Sequence, residues 1–178
     1  MRTMIRTILI TSLTLSLAGL VWAQEQKKRA SPHETTSALV GGSKVTIEYG
    51  RPYKKGRDIF GGLEPLGKVW RTGADEATTF TTEKDLMVGK LHVPAGTYGL
   101  FTIPDKAGWT LILNKTAKQW GAFKYDQGQD LGRTPMQVKT LEAPVEQLTI
   151  TIEPKGDTEG TLKITWDRTE ASVGLMVH

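Results

Sequence analysis

Arg71, Asp75 and Glu76 are the residues of this chain whose types and spacing could do chemistry. They sit in the stretch Val69-Trp70-Arg71-Thr72-Gly73-Ala74-Asp75-Glu76-Ala77-Thr78, which sets an aromatic ring, a guanidinium, two adjacent carboxylates and a glycine between apolar segments. A guanidinium offers a fork to a carboxylate, a phosphate or sugar hydroxyls, and paired acids can divide the general acid and base roles. The competing reading is architectural: Arg71 or Arg57 pairs with Glu76 to stitch two loops, while Thr72 and Thr78 satisfy backbone groups. Adjacent carboxylates on an extended segment point to opposite faces, so Asp75 and Glu76 are not expected to converge. That weakens an enzyme built on the two acids.

Arg51, Lys54, Lys55 and Arg57 form the densest basic loop, which either attracts an anionic ligand or keeps the surface solvated. Trp70, Trp109 and Trp120, with Tyr53 and Tyr125, could offer stacking faces to a sugar, although most tryptophans of a small β domain are core. The regular alternation of Leu162, Ile164 and Trp166 places Trp166 in the core. Other chemistries find little support. The chain has no cysteine, and no serine sits in a nucleophile elbow. His92 is a lone strand histidine without nominated metal partners. His33-Glu34 lacks the second histidine of the zinc-protease signature, because Ser37 stands one helical turn later. Residues 62–68 have the glycine and lysine spacing of a phosphate loop, but Val69 replaces the magnesium-binding hydroxyl and Pro65 interrupts it. No metal and no cofactor are therefore expected.

The elements that must position these residues read as strands. Val45, Ile47 and Tyr49 alternate with Thr46 and Glu48, the mark of a half-buried strand. Residues 53–68 are too rich in glycine and proline for a helix and read as a structured loop. Short strands are expected at 78–82, 86–88 and 91–93, the last two joined at Gly89-Lys90 by a tight hairpin turn. Further strands follow at 98–103, 109–113, 145–152, 162–166 and 173–177. Residues 115–137 break the pattern and carry Trp120, Phe123 and Tyr125 among glycines and polar residues. Short strands joined by Gly/Pro turns predict an all-β chain, a single antiparallel β-sandwich or jelly-roll-like domain with long structured loops.

The N-terminus reads as a signal peptide over residues 1–23. Arg2 and Arg6 precede an apolar run that is too short and hydroxyl-rich for a membrane span, and Val21-Trp22-Ala23 offers the cleavage site. Residues 24–38 are polar and predict a disordered lead-in to a domain at 39–178. Of the formal charge of +4, two units lie on Arg2 and Arg6. The remaining bases are interleaved with acids, which excludes a nucleic-acid stripe. Export without cysteines leaves the fold to rest on its apolar core.

Taken together, Tyr49-Gly50-Arg51-Pro52, Lys55-Gly56-Arg57-Asp58-Ile59-Phe60, Val69-Trp70-Arg71-Thr72-Gly73-Ala74, Glu76-Ala77-Thr78, Ala95-Gly96-Thr97-Tyr98, Leu100-Phe101-Thr102-Ile103-Pro104 and Trp109-Thr110 resemble the DUF2911 family of exported bacterial proteins. The resemblance runs from about Val45 to Ile152. Where this chain has Asp75 the family more often has Asn. The resemblance implies a periplasmic or secreted protein and supplies no chemistry.

The leading expectation is an exported module that binds a ligand without catalysis, through Arg51, Arg57, Trp70, Arg71 and Glu76. Its partner would be a small anionic ligand or an envelope glycan, with no nucleic acid and no membrane insertion of the mature chain. Two alternatives remain: a hydrolase of an envelope polymer using Glu76 or Asp75 with Arg71, and a structural module whose exposed strand edge pairs with a partner.

Overall fold

Alternation of apolar and polar residues organises the chain. In β2 (Ser43–Gly50) Val45, Ile47 and Tyr49 are buried while Lys44 and Glu48 face solvent, because successive strand residues point to opposite faces. The computed structural model describes residues 29–177; the expected signal peptide at 1–23 and the first residues of the lead-in lie outside them. Nine strands are described: β1 (His33–Val40), β2, β3 (Thr78–Thr82), β4 (Leu86–Val88), β5 (Leu91–Val93), β6 (Gly96–Ile103), β7 (Trp109–Asn114), β8 (Asp130–Lys155) and β9 (Glu159–Met176). All pairings are antiparallel, in the order β1-β2-β3-β6-β7-β8-β9-β4-β5.

β8 carries the chain from one layer to the other. Its first residues pair with β7, as in Trp109↔Met136, and from Gln137 onward it pairs with β9, as in Gln137↔Ser172. The sheet closes over itself, so that Val45 and Ile47 of β2 share one core with Ile150 of β8 and Ile164 of β9. The fold is all-β and sandwich-like, as the alternation predicts. At its end towards the 69–78 loop, Trp70 stacks on Trp166 with ring centres 5.9 Å apart, and Phe60 meets Trp109 edge-on at 4.6 Å.

Two expected irregular stretches are strand. Residues 33–38, expected as disordered lead-in, belong to β1, which pairs with β2 from His33↔Gly50 to Val40↔Ser43. β1 is solvated along most of its length, so it shows no alternation, and its pairing comes from the exposed edge of β2. Residues 130–137, expected as part of the irregular segment, open β8. Of residues 130–137 only Met136 is a buried apolar residue, and the register against β7 shifts between Leu113 and Asn114, so this stretch offers no apolar period to read.

Candidate functional site

The loop that carries Arg71, Asp75 and Glu76 is held in an unusual backbone. Trp70 exchanges both backbone hydrogen bonds with Thr102 of β6, at 2.8 and 3.0 Å. Thr72 then turns left-handed at φ 56° and Asp75 at φ 63°. A β-branched residue at positive φ is an outlier that the surroundings must impose. Thr72 is fully buried, its hydroxyl lies 3.0 Å from that of Thr102, and its carbonyl accepts from the Thr78 hydroxyl at 2.9 Å. Asp and Asn tolerate the left-handed region best among non-glycine residues, which accounts for the residue type at 75.

Neighbouring segments clamp the loop from both sides. The Ala74 amide donates to the Gly50 carbonyl at 3.1 Å, and a Cβ on Gly50 would overlap the Ala74 carbonyl, so only glycine admits this approach. On the other side the Gly121 amide donates to the Asp75 carbonyl at 3.0 Å and the Ala77 amide to the Gln119 carbonyl at 2.9 Å.

The left-handed turn at Asp75 overturns the expectation that the adjacent carboxylates diverge. Asp75, Glu76 and His33 each bring one ligand atom within 4.8 Å of the others. These are donor types that a divalent cation accepts, but the positive charge is already supplied from within the chain. Arg29 Nη1 donates to both oxygens of Glu76, at 3.0 and 2.8 Å, and His33 Nε2 lies 2.8 Å from the same carboxylate. The Arg29 hydrogen bond, followed by smaller contributions from backbone and charge, holds the Glu76 carboxyl below its ordinary value.

Arg71 goes elsewhere. Among the described residues no carboxylate lies within ion-pair distance of it, and its Nε is buried without a hydrogen-bond partner. With Arg57, Glu64, Asp75, Tyr53 and Trp166 it lines an open cavity of about 430 Å³, within the usual range of small-molecule sites. Glu64 and Asp75 are the acids of this cavity. Burial pushes the Glu64 carboxyl up to about 7, against the opposing pull of Arg71 and then Arg57.

Of the residues expected to form a site, Arg57, Arg71 and Asp75 line the Arg71 cavity, and Glu76 lines a neighbouring one. Arg51 is spent on the scaffold: its Nε donates to the Leu148 carbonyl at 2.8 Å and its Nη2 to the Thr149 hydroxyl at 2.9 Å. Arg57 also braces its own loop, donating to the carbonyls of Tyr53 and Lys54. Trp70 is 3 % exposed, so its ring belongs to the core, as does that of Trp109. The architectural pairing of Arg71 or Arg57 with Glu76 does not form; Glu76 pairs with Arg29 instead. Glu64, Arg29 and His33 were not singled out as site residues by sequence. Nothing in Glu64-Pro65 marks the burial, and Arg29 and His33 lie in a polar stretch whose contacts with Glu76 are long-range.

An antiparallel β-sandwich-like domain with a loop-built polar cavity is the class that this fold and site define. The chain belongs to the DUF2911 family, described as proteins of unknown function, and matches it over residues 31–175. Neither the curated proteins nor the solved structures offer a match. No helix among the described residues is long and apolar enough to cross a membrane.

Proposed function

We propose that this chain is an exported, non-enzymatic binding module that takes a small anionic ligand in the Arg71 cavity. The observation that carries the reading is the Arg71 side chain, whose buried Nε has no partner among the described residues while the residue lines an open cavity. A buried guanidinium N–H without an acceptor is costly, and an incoming phosphate or carboxylate supplies one together with negative charge. Arg57 and Lys55 on the rim add to the attraction, and Glu64 in its protonated form can donate a hydrogen bond to the same ligand.

Thermal shift with inorganic phosphate, pyrophosphate and citrate tests this. The expected result is concentration-dependent stabilisation of the wild type by at least one of them and none of Arg71→Met; equal stabilisation of both proteins would sink the reading.

A second reading, catalysis, draws on one observation: a carboxyl that titrates near neutrality beside a guanidinium is what a general acid requires. It replaces the pair Glu76 and Asp75 with Glu64 as the acid. It requires that Glu64→Gln abolish turnover of a bound ester while leaving its binding intact.

A further inference from the structure

A second cavity, of about 580 Å³, opens beside Glu76. Tyr49 and Ala77 give it apolar surface, and Trp120 stands in its wall. Trp70, Trp109 and Trp166 are 1–4 % exposed, whereas Trp120 is 60 % exposed. Its place is nevertheless fixed, because Trp120 forms an antiparallel bridge with Glu76 and the residues on either side of it, Gln119 and Gly121, hydrogen-bond to Ala77 and Asp75. An indole left in the open on an anchored backbone offers a stacking face, with its apolar area uncovered.

The polar groups around it narrow the ligand further. Arg29 and Lys118 stand against Glu48 and Glu76, so the cationic and anionic side chains balance and nothing selects an ion. Gln119 lines the cavity, its Nε2 donating to the Thr116 carbonyl at 2.8 Å, and its Oε1 finds no partner among the described residues. A buried acceptor left unpaired calls for a donor from outside. The occupant must therefore present a flat apolar face to an indole and, around its rim, groups that both donate and accept.

We propose that this cavity binds a neutral carbohydrate, with one pyranose ring stacked on Trp120 and its hydroxyls meeting Glu76, Gln119 and Lys118. A sugar hydroxyl donates to a carboxylate or to the Gln119 carbonyl and accepts from an ammonium, so one ligand satisfies all three. Its axial C–H face carries the positive edge that the electron-rich face of an indole attracts. This site is separate from the Arg71 cavity and does not depend on the anion reading.

NMR titration of the mature chain with maltotriose, cellotriose and chitotriose, following the Trp120 indole N–H and the Gln119 side-chain amide, tests it. At least one of the three is expected to shift both resonances saturably. Trp120→Ala should weaken that binding about tenfold or more, with an unchanged melting temperature because the ring is exposed, while Arg71→Met leaves it unaltered. Gln119→Ala gives a second, independent loss should Trp120→Ala fold poorly. Failure of all three sugars to move Trp120, or equal affinity in both variants and wild type, overturns the proposal. A loss caused by Arg71→Met would place the sugar in the other cavity and overturn it as well.

Discussion

Glu76 takes two hydrogen bonds from one nitrogen, Nη1 of Arg29, at 3.0 and 2.8 Å, and does not pair with Arg71. The 69–78 loop thereby separates two environments: a cluster neutralised by Arg29 around Glu76, and a cavity lined by Glu64 and Asp75 in which Arg71 makes no ion pair among the described residues.

The Arg29–Glu76 pair is solvent-exposed on both sides and should contribute little to stability, less still in high salt. The Glu76 carboxyl titrates below its ordinary value, so whatever the pair contributes is present above the ordinary carboxylate range and is lost as pH falls through the folded value. Glu76→Gln is expected to leave the urea midpoint nearly unchanged. A large drop in that midpoint would mean that Glu76 anchors the loop.

Glu64 behaves in the opposite sense. Its folded value, about 7, lies above the ordinary 4.5, so its contribution is full below the ordinary value and is lost as pH rises through 7. Glu64→Gln removes that loss. At about pH 8 the variant should be more stable than the wild type by on the order of 1–3 kcal/mol, with little difference near pH 4. Urea denaturation across that range is the measurement. Ionised Glu64 also faces the ligand, alongside Asp75 and against Lys55, Arg57 and Arg71; anion affinity should therefore fall over the same interval, and the fall should vanish in Glu64→Gln.

Residue 75 tests the backbone argument. At φ 63°, Asp75→Asn keeps a residue that adopts the left-handed turn and should preserve stability, whereas Asp75→Val should cost roughly 1–3 kcal/mol. Equal urea midpoints for the two variants would show that the turn is not imposing strain.

The tryptophans divide between core and surface. Trp166, 1 % exposed and stacked on Trp70, should cost roughly 3–5 kcal/mol on truncation to Ala. Trp120→Ala should cost far less. The two denaturation curves give the comparison.

What was legible in the sequence follows from which signals are local. Val45, Ile47 and Tyr49, or Leu162, Ile164 and Trp166, declare their strands because each has one buried face, and Gly89-Lys90 declares its hairpin. β1 is solvated along most of its length and shows no period, and β8 shows one only where Leu148, Ile150 and Ile152 alternate, so its first half is not declared. At the site, residue type points to Arg57, Arg71 and Asp75, which line one cavity. The partner of Glu76 was not legible, because Arg29 lies 47 positions away. The convergence of Asp75 with Glu76 was missed for a different reason: alternation presumes an extended backbone, and a left-handed residue breaks it.

The most direct test of the central claim is the Arg71 Nε–H resonance, assigned by its disappearance in Arg71→Met, followed by NMR while phosphate, pyrophosphate or citrate is added. The account predicts that at least one of these anions shifts it saturably, with the Glu64 carboxyl moving over the same concentrations. An Arg71 Nε–H that stays in place with all three anions would contradict it.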